Sequence, residues 1–326
     1  MIKEAVSPLE PRCEDLDGDG FGRKARRLFL ATRPKFLTAS VLPVLVGTAW
    51  GAAVAGHLEL LVAVIALLAT ALVHGASNVI NDVGDEITGT DRDNEERIYP
   101  YTGGSRFIQN RIMTLAEMRR WGWTLIGVAC AFGVGLALMK GPWVIALGLA
   151  GIFIAWAYSA PALQLSGKGV GEFFLMIAFG LLPAGGAAWL QSGVFDVGTV
   201  LMTVPLGIWV MLILWINEVP DRKADAANGK RTLVVRLGLD GARLGYRLLH
   251  VAAFAALLAL ILMGTLPWWV APGALAVMAG GFKAAAGIRE DVPREALRKS
   301  IEMTIGLQTV GSILLFAGAL FASPIP

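Results

Sequence analysis

Nine apolar stretches divide this chain, each long enough or nearly so to cross a hydrocarbon core of about 30 Å. They fall at 36–57, 58–80, 118–140, 142–160, 171–190, 197–217, 246–264, 265–284 and 301–322. A backbone in lipid has no water to bond, so each stretch must satisfy its own N–H and C=O groups as a helix. No pattern of period two runs long enough to suggest a barrel. The expected fold is therefore an all-α, polytopic membrane protein of about nine transmembrane helices. Only 16% of residues are charged, against about 25% in a soluble domain, so lipid must cover much of the surface. The 39 glycines fit that reading, because small residues let membrane helices approach closely. Gly180, Pro183, Gly185 and Gly186 predict a kink in the stretch 171–190.

Charge placement orients the bundle. Alternating the loops across nine spans puts all 28 Lys and Arg except Lys140 on one side, which the positive-inside rule makes cytoplasmic. This predicts a multi-pass protein of the inner (cytoplasmic) membrane with its N-terminus in the cytoplasm. Residues 1–24 are polar, mixed in charge and unlike a secretory signal. They read as a flexible tail before a transmembrane domain over 25–326. Phe21 to Phe36, with Arg23, Lys24, Arg26, Arg27, Arg33 and Lys35, reads as a basic helix on the anionic leaflet or as a simple topogenic flank. Cys13 and Cys130 offer no disulfide or metal framework, and the three histidines are too scattered for a zinc site. The bilayer is the implied partner; nothing points to nucleic acid, and no obligate protein partner is evident.

Two acidic clusters carry the chemistry. At the end of the second stretch, Asn78, Asp82 and Asp85 stand at i, i+4 and i+7 on one helical face, with Asn81 beside them and Asp91 in the loop beyond Gly89. At the end of the sixth, Asn217, Asp221 and Asp225 stand at i, i+4 and i+8, and Gly229 opens the next loop. Pro220 should kink or restart a helix there. Carboxylates this close repel one another unless something positive sits between them. Hard oxygen ligands without His or Cys select Mg²⁺ or a similar ion. Because Mg²⁺ usually takes one or two carboxylates plus phosphate oxygens, two facing clusters suit a diphosphate clamp. The cations fit: Arg106 follows Gly103-Gly104-Ser105, Lys230 and Arg231 follow Gly229, and Lys168 lies in the loop after the fourth span. The loops after spans two and six are expected to cap the site, each with a short helix, at Thr114–Arg120 and Leu239–Tyr246. His74 reads as a packed polar residue rather than a base.

These residues resemble the UbiA superfamily of intramembrane prenyltransferases. Asn81-Asp82-x-x-Asp85-x-x-x-Gly89-x-Asp91 is similar to the family's first Asp-rich motif. Asn217-x-x-x-Asp221-x-x-x-Asp225, with Gly229-Lys230-Arg231-Thr232-Leu233 after it, is similar to the second. Arg33-Pro34-Lys35, Tyr158 and Lys168-Gly169-x-Gly171-Glu172 extend the resemblance over most of the chain. Gly89-Thr90-Asp91 with Gly103-Gly104-Ser105-Arg106 is most similar to the 1,4-dihydroxy-2-naphthoate polyprenyltransferases of menaquinone synthesis. The resemblance implies a UbiA-type bundle around a central cavity. It implies a polyprenyl diphosphate donor, an aromatic acceptor and Mg²⁺ held by Asp82, Asp85, Asp91, Asp221 and Asp225. Asn78, Asn81 and Asn217 would orient the bound oxygens, and Arg106, Lys168, Lys230 and Arg231 would stabilise the leaving diphosphate. Tyr158 would line the site of the allylic cation. A hydroxybenzoate, chlorophyllide-type ring, haem or glycerol lipid could be the acceptor instead. An ion-coupled transporter is the rival from another class, although the middles of the nine stretches lack Asp, Glu, Lys and Arg.

Overall fold

The computed structural model describes residues 9–16, 18, 20–89, 94, 96–160 and 162–323. Its helices are α1 (Cys13–Leu16), α2 (Phe21–Ala31), α3 (Thr38–Ala55), α4 (Leu60–Thr88), α5 (Leu115–Lys140), α6 (Trp143–Ser159), α7 (Gly171–Met176), α8 (Gly186–Ser192), α9 (Val197–Ala227), α10 (Leu233–Leu262), α11 (Val270–Ala284) and α12 (Arg294–Ala319). Among the described residues there is no strand. Among the described residues, eight spans are long and apolar enough to cross a membrane. The ninth, α6, has 17 residues and would reach about 25 Å, just short of the hydrocarbon thickness. The chain is a multi-pass membrane protein. Large apolar side chains that water would not tolerate in such number face outward, among them Leu60, Leu61 and Leu68 of α4, Leu138 of α5 and Phe153 of α6.

Helix ends differ from the sequence expectation in one consistent way. Helix α4 has 29 residues and spans about 43 Å, so it overshoots the hydrocarbon and carries Asp82 and Asp85 beyond it. Helix α9 runs 31 residues, through Pro205 and Pro220, without ending at the second acidic cluster. The separate cap helices are not there. Thr114–Arg120 is the capped first turns of α5, where Thr114 and Glu117 form a reciprocal capping box. Leu239–Tyr246 lies inside α10, which begins at Leu233 and is bent at Gly238. Only residues 228–232 therefore connect α9 to α10. Hydropathy falls where the chain leaves lipid, but an amphipathic helix does not stop there.

Helix α9 is the buried axis. Its Met202, Leu206, Leu212 and Ile216 pack in one core with Trp50 of α3, Leu257 and Leu260 of α10, and Ile301 and Leu315 of α12. The predicted kink takes the form of a π-helical stretch at Ile177–Gly185, with Pro183 inside it, joining α7 to α8. There α3 lies backbone to backbone on its neighbour. A Cβ on Gly47 would stand 2.0 Å from the Ala184 carbonyl oxygen, and one on Gly51 2.3 Å from that of Ala188. This is the small-x-x-x-small contact of membrane helices. Gly47→Ala is expected to cost about 1–3 kcal/mol by forcing the helices apart. Thermal unfolding in detergent reads this directly; an unchanged midpoint would mean that the contact does not hold the two helices.

The basic segment forms α2, whose Phe21 and Phe29 are exposed. It is tied down by the Trp121 indole N–H, which donates to the Leu28 carbonyl at 3.0 Å. Just before it, Leu16 is buried and Glu10 pairs with Arg97 at 3.0 Å. At the other end of the bundle Lys140 bonds Glu59 and holds its carboxyl below the ordinary range.

Candidate active site

The ends of α4 and α9 that carry the acidic clusters meet over one cavity of about 200 Å³. On α4 the polar face is about 100° wide, since each residue advances the helix by that angle, and its members do different things. Asn78 and Asp85 sit mid-face on the cavity wall. Asn81 also lines the cavity and donates to the Ser159 hydroxyl at 3.0 Å. Asn78 donates to the Thr32 carbonyl at 2.9 Å. At the opposite edge of the face, Asp82 turns into the cap. The Ser105 N–H lies 3.3 Å from both of its oxygens, and Arg33 stands 3.9 Å away. On α9 the four-residue spacing keeps Asn217, Asp221 and Asp225 in one stripe on the cavity wall.

Lys230 links the clusters. Its Nζ donates to Asp85 at 2.9 Å and lies 3.7 Å from Asp225. Asp221 accepts from the Asn94 amide at 2.7 Å, with Thr102 beside it on the cavity wall. Tyr158 also lines the cavity. Below the polar rim the walls turn apolar, with Phe36, Leu175, Phe179, Val210, Ile213 and Leu214. His74 is there too, its Nδ1 bonded to the Ser40 hydroxyl at 2.8 Å and its ring edge-on to Phe179.

Other predicted residues stand off the cavity wall. Arg106 is buried behind it in the left-handed conformation. Lys168 and Arg231 are exposed, and each gives its backbone carbonyl to Arg236. Asp91 falls outside the described residues. Conversely, the cap contributes groups that sequence reasoning missed: Asn94, Tyr101, Thr102 and the Gly103-Gly104 turn. Arg33, read there as a flank, reaches the cavity and lies 4.9 Å over the Phe36 ring. In this cap, burial pushes the Tyr99 hydroxyl up to about 12, so it stays neutral at any physiological pH.

Among the described residues, no three His, Cys, Asp or Glu gather closely enough to cage a metal by themselves. That is compatible with Mg²⁺, which completes its shell with water and phosphate oxygens. The Asn217 Oδ1 is buried beside the carboxylates without a hydrogen-bond partner, an oxygen left for a ligand. An oxygen-only donor set, with one ammonium between two carboxylates, suits a hard cation shared with an anionic substrate.

Residues 40–307 match the UbiA prenyltransferase family. This chain belongs to that family of membrane enzymes. It is similar to the 1,4-dihydroxy-2-naphthoate octaprenyltransferase of Escherichia coli (strain K12), 29% identical over 304 residues, covering 88% of this chain and 92% of the relative. It is also similar to the 1,4-dihydroxy-2-naphthoate octaprenyltransferase of Mycobacterium tuberculosis, at 32% over 296 residues, covering 88% and 94%. Among solved structures, a UbiA homolog from Archaeoglobus fulgidus bound to DMAPP and Mg²⁺ has a TM-score of 0.64 at 17% identity, covering 89% of this chain and 99% of that one. The fold of this UbiA-family chain is thus the one on which that homolog binds its ligands.

Proposed function

We propose that this protein transfers a polyprenyl group from a prenyl diphosphate to 1,4-dihydroxy-2-naphthoate, using Mg²⁺, at the cytoplasmic face of the cell membrane. The observation that carries this reading is a convergence. Asp85 of α4 and Asp221 and Asp225 of α9, more than a hundred residues apart in sequence, edge one cavity with an apolar lower wall. The relatives named as naphthoate prenyltransferases support the acceptor. The confinement of cations, apart from Lys140, to the end of the bundle that holds the cavity supports the orientation.

Bound Mg²⁺ supplies Lewis-acid neutralisation of the diphosphate charge. Asp85, Asp221 and Asp225 would hold it, and Asn78, Asn81 and Asn217 would orient its oxygen ligands. Asp82 acts from behind, fixing Ser105 and Arg33 in the cap. Lys230 donates to the oxygens of the leaving diphosphate as their charge grows, while the exposed cations Lys168 and Arg231 attract the anion. The prenyl chain lies along Phe179, Val210, Ile213 and Leu214. The C–O bond to diphosphate breaks, an electron-rich ring carbon bonds to the allylic carbon, and that ring carbon then loses its proton so that the ring regains aromaticity. Tyr158 faces the positive charge between bond breaking and bond formation.

The test uses purified protein in detergent with a labelled polyprenyl diphosphate, 1,4-dihydroxy-2-naphthoate and Mg²⁺. The expected result is a lipid-soluble labelled product that disappears with EDTA and returns with added Mg²⁺. Diphosphate release without that product would move the acceptor elsewhere within the family. No metal-dependent turnover of any prenyl diphosphate would sink the reading.

A further inference from the structure

Glu172, at the start of α7, is fully buried and lies off the cavity wall, yet it is tied to the site. Its Oε1 accepts the backbone N–H of Leu233, the first residue of α10, at 2.6 Å. The Glu218 carboxyl, also buried, lies close to it and to the start of α10. Thr232, the N-cap, accepts the N–H of Val235 at 3.3 Å. Two orphan donors of one helix N-terminus, those of Leu233 and Val235, are thus each met by a side-chain oxygen.

The same short connection is clamped from the other side. Arg231 N–H donates to the Gly167 carbonyl at 2.7 Å. Arg236 bridges the Arg231 and Lys168 carbonyls at 2.9 and 2.8 Å. Gly169, at φ +67°, has room for no side chain, because a Cβ would lie 2.8 Å from the Arg231 carbonyl oxygen. Between these clamps sits Lys230, whose own N–H donates to the Asp225 carbonyl at 2.8 Å.

We infer that Glu172 is a positioning residue for the diphosphate: by clasping the start of α10, together with the Arg236 bridge, it sets where the Lys230 ammonium stands against Asp85 and Asp225. The inference rests on the reading of the cavity as a prenyl diphosphate site. A five-residue connection at 228–232 leaves little slack, so a shift of α10's first turn is passed to Lys230. Position matters here because a charge-assisted hydrogen bond weakens steeply once its geometry is lost.

The experiment is a double-mutant cycle in detergent, reading KM for the prenyl diphosphate and for the acceptor separately. Glu172→Leu keeps the volume and removes the acceptor oxygen. It is expected to raise KM for the diphosphate about tenfold with the acceptor KM unchanged, and to add nothing in a Lys230→Ala background. Glu172→Gln, whose carbonyl still accepts from Leu233, should restore the wild-type diphosphate KM. If Glu172→Leu does not fold, the exposed Arg236→Gln loosens the same connection from outside and should give the same selective, non-additive change. Losses that add to that of Lys230→Ala, or that fall equally on both substrates, would overturn the inference and leave the functional reading standing. A wild-type protein that turns over no prenyl diphosphate would overturn both.

Discussion

Replacing Asp85 and Asp221 together by Asn is expected to lower prenyl transfer by at least about a thousandfold. The two carboxylates come from different helices and share the cavity wall, so the pair cannot be compensated by one cluster acting alone. Asn is a fair isostere at both positions. At 221 its carbonyl can still accept from the Asn94 amide, as Asp221 does at 2.7 Å, and at 85 it can still accept from Lys230. Local packing therefore survives, while the charge that holds a divalent cation is gone. Removing two negative charges from the cavity wall also relieves repulsion within the cluster, so the metal-free melting temperature should not fall. The separating measurement is thermal: Mg²⁺ with a non-hydrolysable prenyl diphosphate should raise the wild-type midpoint by linkage and leave the double variant where it was. A variant that lost activity but kept the ligand-induced shift would place metal binding on other residues.

The bundle was legible in the sequence because lipid allows few alternatives. Twenty apolar residues in a row must be helix, and a glycine count this high already points to close helix packing. The stripe Asn217, Asp221 and Asp225 was legible for a similar reason, since a period close to the helical repeat keeps one face. What could not be read lies in the cap. Asn94 meets Asp221 across 127 positions, and Ser105 meets Asp82 through its backbone N–H. Neither contact leaves a periodicity, because loop geometry, not helical repeat, brings them together. The same limit explains why Asp82 and Asp85, three positions apart, look equivalent in sequence but face the cap and the cavity respectively. The misplaced cap helices have a different origin. Arg236, Asp240 and Arg243 in the first turns of α10 lower its hydropathy, yet Thr232 and Glu172 cap it.

Lys230→Met separates two roles that one ammonium holds in turn. Its Nζ lies 2.9 Å from Asp85 and 3.7 Å from Asp225, the place that a divalent cation with substrate would take. Removing it leaves two largely buried carboxylates without their counter-charge, which should lower the metal-free melting temperature. Mg²⁺ alone should then recover more of that loss in the variant than it adds to the wild type, because the metal no longer competes with the ammonium. Half-saturation for Mg²⁺ is accordingly expected at a lower concentration in the variant. Turnover should move the other way. With substrate bound, Lys230 is a donor to the leaving diphosphate, and loss of one such donor costs roughly a hundredfold or more in rate. Tighter metal binding with slower transfer is an unusual pair of outcomes, and a merely structural lysine would give neither. A metal titration unchanged by the substitution would show that Lys230 does not occupy the metal's place. Unchanged turnover would pass the leaving-group role to another cation, with Arg33 on the cavity wall the next to replace.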